Sequence, residues 1–104
     1  MKTPEIQIFY CSVCGLCTQA IEYLRSRNLD FATYAVEWDS TADAFRDSEN
    51  AREMFRRCGG TVDFVPQIFI HGTHVAGWRK LEPMIQNGQF DLLLQGDPQE
   101  IAHG

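Results

Sequence analysis

Three of the four cysteines in this 104-residue chain stand at positions 11, 14 and 17. Two of them frame Cys14-Gly15-Leu16-Cys17, a C-x-x-C pair. A thiolate is the nucleophile of thiol–disulfide exchange, and a second thiol one helical turn away can attack the mixed disulfide that forms first. The spacing therefore indicates a redox dithiol in which Cys14 attacks and Cys17 resolves.

The same cysteines allow two other interpretations. Cys11, Cys14 and Cys17 together read C-x-x-C-x-x-C, which resembles part of a ferredoxin-type iron–sulfur run. That run has a fourth cysteine shortly after the third, whereas the next one here is Cys58. The three residues can also be small buried apolar side chains. The dithiol is favoured over both, and Cys11 is assigned an auxiliary role.

The hydrophobic pattern predicts the elements that hold the cysteines. A strand over residues 5–10 leads into the cluster and a helix over 15–27 follows it. Cys14 is therefore expected at a helix N-terminus, where unpaired backbone amides and the helix dipole stabilise a thiolate. A second strand is predicted over 29–37, and the polar stretch 38–47 is expected to be irregular.

The second half of the chain is predicted to hold a helix from about Ser48 to Cys58 and then a hairpin. The hairpin has one strand over 65–70, a turn over 71–74 and a return beginning at Val75. A third helix over 78–87 and a last apolar turn over 90–94 complete an order of β-α-β-α-β-β-α. We therefore expect an α/β fold with a four-stranded mixed sheet covered by helices on both faces.

Composition narrows the possible partners. The net charge is -5, so no basic face for nucleic acid is expected. No stretch approaches the roughly 20 apolar residues of a membrane span, and the first residues lack the pattern of a secretory leader. Clustered cysteines without a disulfide framework are typical of reducing compartments. A cytoplasmic monomer is expected.

Several segments resemble the glutaredoxins in order and spacing. They are Cys14 to Ala20, Val65 to Ile70, Gly72, and Ala76-Gly77. The resemblance runs from about residue 5 to 94, so a single domain over 1–95 with a flexible tail over 96–104 is expected. It implies a thioredoxin-like fold and reduction of protein disulfides or glutathione mixed disulfides.

The resemblance also implies cofactors and binding residues. Glutathione is the expected co-substrate, with no tightly bound cofactor, although some relatives bridge a [2Fe–2S] cluster in a dimer through the first active-site cysteine and glutathione. The proline at position 66 is expected to be cis and to lie beside the redox pair. The residues expected to contact glutathione or a substrate are Leu16, Val65, Pro66, Gly77, Trp78 and Arg79.

Two departures from the glutaredoxin pattern bear on the reductant. Members of that family usually carry a cation three positions before the first active-site cysteine, where this chain has Cys11. They also usually have a polar, often acidic, pair after the glycines, where this chain has Trp78-Arg79-Lys80. The sequence Ala76-Gly77-Trp78-Arg79 is closer to that of the redoxins that take electrons from thioredoxin reductase and serve ribonucleotide reductase. The role of such a redoxin is therefore a second candidate function.

Three further residues carry reactive groups outside the main motif. Cys58 falls on the apolar stripe of the second helix and is expected to be a half-buried packing residue, with a secondary thiol open to glutathionylation as the alternative. His71 and His74 flank the hairpin turn as H-x-x-H. The turn is not expected to aim both imidazoles inward, so a metal site there is disfavoured.

Overall fold

The sheet begins with a parallel strand pair joined through a helix. In the computed structural model, which describes residues 6–95, strand β1 (Ile6–Tyr10) leads into helix α1 (Gly15–Ser26) and then strand β2 (Phe31–Ala35). β1 and β2 pair in parallel along their full length. Parallel neighbours need a crossover connection, and α1 supplies it. The predicted strand–helix–strand unit around the cysteines is confirmed.

The polar stretch after β2 is more regular than the sequence suggested. Strands β3 (Trp38–Asp39) and β4 (Ala44–Phe45) form a separate two-stranded antiparallel ribbon. The rings of Trp38 and Phe45 meet edge to face with centroids 4.9 Å apart. Asp39 accepts backbone hydrogen bonds from the following turn. The expectation of irregular chain was wrong because one aromatic pair and one turn-forming carboxylate suffice for a short hairpin.

Helix α2 (Glu49–Cys58) has the boundaries that the sequence predicts. The hydroxyl of Ser48 accepts the backbone N–H of Ala51 at 3.0 Å, which satisfies one of the orphan donors of the first turn. Gly59 ends the helix in the left-handed conformation.

The hairpin is tighter than predicted. Strand β5 (Gln67–Ile70) and strand β6 (Thr73–Ala76) are joined by His71 and Gly72 alone. Both linking residues have positive φ, 48° and 84°, which is the requirement of a two-residue turn that matches strand twist. The return strand therefore starts at Thr73 rather than Val75.

The chain ends, within the described residues, in helices α3 (Trp78–Gln86) and α4 (Gln89–Leu94). The apolar turn predicted over 90–94 is thus a short helix, and its Phe90 is buried. The expected tail over 96–104 lies outside the described residues. Within residues 6–95, no helix is long and apolar enough to cross a membrane.

The four main strands are ordered β2-β1-β5-β6, with β1 and β2 parallel and the other pairs antiparallel. Alternate side chains of β1 and β5 enter two cores. Ile8 and Ile68 pack with α1, α3 and α4, while Phe9 and Phe69 pack with α2. The predicted mixed sheet with helices on both faces is confirmed, and the β1–α1 junction that carries the cysteines lies at the ends of its central strands.

Candidate active site

Cys14 is the N-cap residue of α1, as predicted. Its half-exposed Sγ accepts the backbone N–H of Cys17 at 3.2 Å, so the sulfur takes the place that a serine or aspartate oxygen takes at other helix starts. The thiol also donates to the carbonyl oxygen of Val65 at 3.5 Å. An accessible sulfur that receives a helix-terminal N–H is placed to act as a nucleophile.

The backbone around Cys14 is held on both sides. Its amide donates to the carbonyl of Cys11 at 3.1 Å, which folds the loop after β1. Its own carbonyl accepts the backbone N–H of Thr18 at 3.2 Å and the Thr18 hydroxyl at 3.3 Å. The position of the sulfur is therefore fixed by the loop and by the first turn of α1 together.

Cys17 differs sharply from Cys14 in environment. It is only 1% exposed. Burial, with further contributions from the hydrogen bond and charge of Cys14, raises the pKa of the Cys17 thiol to about 12, although the backbone of Cys11 acts in the opposite direction. One thiol is thus accessible and the other is kept protonated behind it, which suits an attacking and a resolving role respectively.

Cys11 is buried at the end of β1, with 7% of its surface exposed. It lines, together with Cys17, a surface groove whose rim carries Glu22 and Arg25. It contributes its carbonyl to the Cys14 loop, and its auxiliary chemical role stays a prediction.

A cis peptide joins Val65 to Pro66 next to the Cys14 sulfur, as the resemblance implied. The preceding carbonyl, that of Phe64, accepts the side-chain amide of Gln67 at 2.9 Å. Gln67 is fully buried and was not singled out from the sequence. Gln67 is an amide within the otherwise apolar run from Val65 to Ile70, and this pattern could have identified it. A polar side chain in a buried strand needs hydrogen-bond partners, so it indicates a specific contact.

The start of α3 meets the same segment. Gly77 is the N-cap of α3 with a φ of +94°, and a β-carbon built on it would lie 3.3 Å from the ring of Phe64. The indole of Trp78 is buried against Tyr23, whereas Arg79 is exposed to solvent. Three of the expected binding residues, Val65, Pro66 and Gly77, lie close together. Trp78 is part of the core between the sheet and helices α1, α3 and α4, and Leu16 is half-buried against that core.

The clustered cysteines do not form a metal site within the described residues. Within residues 6–95, no three side chains of Cys, His, Asp or Glu gather into a metal site, so a site built from Cys11, Cys14 and Cys17 is not supported. A cluster bridged between two chains would take one thiolate from each, and the half-buried Cys14 at the start of α1 fits that role.

The chain is similar to known proteins over most of its length. The glutaredoxin family model matches residues 6–75. A glutaredoxin of Pseudomonas aeruginosa is 31% identical over 91 residues, which cover 88% of this chain and 96% of the relative. Glutaredoxin 3 of Escherichia coli is 28% identical over 91 residues, which cover 88% and 98%.

Solved structures show the same fold. A dithiolic glutaredoxin of Trypanosoma brucei brucei matches with a TM-score of 0.65 and 26% identity, covering 88% of this chain and 87% of that one. A buckwheat glutaredoxin in complex with glutathione matches with a TM-score of 0.66 and 19% identity, covering 88% and 77%. The fold is thus thioredoxin-like, as predicted, and the chain belongs to the glutaredoxin family of thiol–disulfide oxidoreductases.

Proposed function

We propose that this chain reduces protein disulfides and glutathione mixed disulfides, with Cys14 as the nucleophile and Cys17 as the resolving thiol. The observation that carries the proposal is the position of the Cys14 sulfur, which is accessible, caps α1 and lies 3.5 Å from the Val65 carbonyl. Family membership supplies the general reaction, and this geometry supports Cys14 as the thiol that begins it.

The reaction has two exchange steps. The Cys14 thiolate attacks one sulfur of the substrate disulfide, so that a Cys14–substrate bond forms and the other sulfur leaves as a thiolate that takes up a proton. Cys17 then attacks the Cys14 sulfur, releases the second substrate thiol and leaves a Cys14–Cys17 disulfide. The substrate gains two electrons, and the protein loses two.

The mixed disulfide itself prepares the second step. Two of the causes that raise the pKa of Cys17 are its hydrogen bond to Cys14 and the charge of that residue. Burial, the largest cause, persists in the mixed disulfide, but the negative charge of Cys14 is removed because its sulfur is then neutral. Cys17 therefore becomes easier to deprotonate only after the first bond has formed, which keeps the two thiols in order.

Glutathione is the proposed reductant and co-substrate. A related fold binds glutathione in the buckwheat complex. In this chain Val65 contacts the Cys14 thiol, and Gly77 lies against Phe64 and Pro66 on either side of Val65. Backbone groups of an extended segment can pair with a peptide-like ligand. We place this activity in the cytoplasm, acting as a monomer.

A second candidate takes electrons from thioredoxin reductase and serves ribonucleotide reductase. It is favoured by the exposed Arg79 and Lys80 at the start of α3, since a cation there does not suit the ammonium group of glutathione.

One experiment separates the two reductants. The protein is assayed on a glutathionylated peptide and on a disulfide-bonded protein, once with glutathione plus glutathione reductase and once with thioredoxin reductase. The proposal expects turnover with glutathione and loss of that turnover in Cys14→Ser. Turnover with thioredoxin reductase alone favours the second candidate, and Arg79→Glu should then reduce it.

A further inference from the structure

A second thiol meets an imidazole away from the Cys14 site. Cys58, the last residue of α2, places its Sγ 3.6 Å from Nε2 of His74 on the edge strand β6. The imidazole ring lies flat on Phe69, with centroids 4.7 Å apart and planes 13° from parallel. The end of α2 and the sheet edge thus bring a thiol and an imidazole into contact.

The hydrogen on the imidazole can be assigned from its neighbours. Gln67 donates its side-chain amide to the Phe64 carbonyl, so its Oε1 is the atom that lies 2.7 Å from His74 Nε2. An amide oxygen only accepts hydrogen bonds, and therefore Nε2 carries a hydrogen. The sulfur of Cys58 is a second acceptor for that N–H, which stabilises a thiolate more than a thiol.

Burial, rather than the neighbouring charge, makes the Cys58 thiol slow to react. Burial raises its pKa, and the neighbouring Arg57 opposes this by lowering it. Burial also lowers the pKa of His74, so the imidazole is neutral at neutral pH. The thiol of Cys58 is therefore mostly protonated at neutral pH, and we expect Cys14, whose sulfur accepts a helix-terminal N–H, to react with a disulfide first.

There is room beside the sulfur for an adduct. Cys58 is only half-buried, and the next two residues are Gly59 and Gly60. A β-carbon built on either glycine meets no atom within 4 Å. The chain that follows Cys58 therefore borders open solvent, where a group attached to the half-buried residue can extend.

The pair is connected to the active site through one buried side chain. Gln67 joins His74 to the carbonyl of Phe64, and the next carbonyl, that of Val65, accepts the Cys14 thiol. Displacing the imidazole removes the 2.7 Å hydrogen bond that the amide oxygen of Gln67 accepts. Loss of a hydrogen bond to a buried polar group destabilises the segment that holds it.

We propose that Cys58 is a second redox site, which takes a glutathionyl group from glutathione disulfide and, through His74 and Gln67, weakens the Cys14 site. The Cys58 thiolate attacks one sulfur of glutathione disulfide, a Cys58–glutathione disulfide forms, and one glutathione leaves and takes up a proton. The sulfur of Cys58 is oxidised and the leaving sulfur is reduced. The effect on Cys14 rests on the function proposed above.

The modification is tested by peptide mapping. The reduced full chain is incubated with glutathione disulfide, sampled over time and digested with trypsin. Cys58 then lies in the peptide Cys58–Arg79, which has no other cysteine, while the remaining three lie in Thr3–Arg25. We expect the glutathionyl group on Cys58–Arg79 after the active-site pair is oxidised, and about tenfold slower in His74→Phe, which keeps a ring on Phe69 but lacks the N–H donor.

The coupling is tested with an irreversible adduct. Oxidised protein, in which the active-site pair is protected, is alkylated with N-ethylmaleimide, reduced and assayed beside Cys58→Ser treated identically. Mapping confirms that Cys58 carries the adduct. The expected result is about a fivefold loss of kcat/KM in the wild type, equivalent to one buried hydrogen bond, and no loss in Cys58→Ser.

Three results would overturn the inference. They are a free Cys58 when the active-site pair is fully oxidised, a His74→Phe variant modified as fast as the wild type, and an alkylated wild type of unchanged activity. Untreated enzyme remains active in all three cases, whereas failure of the proposed function appears as inactivity of the untreated enzyme.

Discussion

Cys14 and Val65 are 51 residues apart in the chain, yet the thiol of one lies 3.5 Å from the carbonyl oxygen of the other. This contact joins the start of α1 to the segment before β5, so the attacking sulfur and the backbone proposed to hold a substrate form one surface. Substitutions at Cys14 or in the segment that holds Val65 should lower the rate of substrate reduction more than they lower the stability of the fold.

Removal of the resolving thiol should separate the two reactions. In Cys17→Ser, a glutathione mixed disulfide is still reduced, because free glutathione can attack the Cys14–glutathione bond. Reduction of a protein disulfide should fall by about a hundredfold, since it needs the second protein thiol. Both rates are measured in the coupled glutathione assay, and Cys58→Ser, which lacks a thiol outside the site, serves as the control. Equal loss of both activities in Cys17→Ser would contradict the assigned roles.

The buried Cys17 should make the fold sensitive to alkali. Its pKa is raised to about 12 in the folded protein, above the value of an ordinary thiol, so the folded state binds the proton more tightly than the unfolded state does. The resulting stability is complete below pH of about 8.5 and is lost as pH rises towards 12. The free energy of unfolding of reduced protein should fall by up to about 1.4 kcal/mol per pH unit more steeply than that of Cys17→Ser. Urea titrations at several pH values measure this, and parallel curves would show that Cys17 is not perturbed.

A side chain at the N-cap of α3 should disturb both stability and the site. Gly77 has a φ of +94°, and an added β-carbon would press on the ring of Phe64 at 3.3 Å. We expect Gly77→Ala to cost about 1–3 kcal/mol of unfolding free energy and to raise KM for glutathione mixed disulfides, because Phe64 precedes the Val65 segment. Gly60→Ala is the matched control, since its β-carbon meets nothing within 4 Å. A similar small effect of both substitutions would remove Gly77 from the site.

Local patterns predicted the elements that hold the nucleophile. The hydrophobic pattern predicted the strand before Cys11 and the helix that begins after Cys14. The same kind of pattern predicted a helix from about Ser48 to Cys58, which is α2. Each of these signals is contained in a few consecutive residues, so neighbouring side chains are enough to interpret them.

Contacts between distant residues were not predictable in the same way. The Gln67 bridge between His74 and Phe64 depends on the pairing of β5 with β6 and on the loop that precedes them. The burial that raises the pKa of Cys17 depends on how closely the sheet and helices pack over α1. The two-stranded ribbon of β3 and β4 was not predicted, because the polar turn between Trp38 and Phe45 resembles an ordinary loop.

The central claim is that Cys14 makes the first bond to substrate, and trapping that bond tests it most directly. Cys17→Ser protein is mixed with a disulfide-bonded peptide, the remaining thiols are alkylated, and the linked species is fragmented in a mass spectrometer to locate the bond within Thr3–Arg25. The account predicts that the substrate peptide is attached to Cys14 and that Cys11 and Cys58 are alkylated. A substrate peptide attached to Cys11, with Cys14 alkylated, would contradict it.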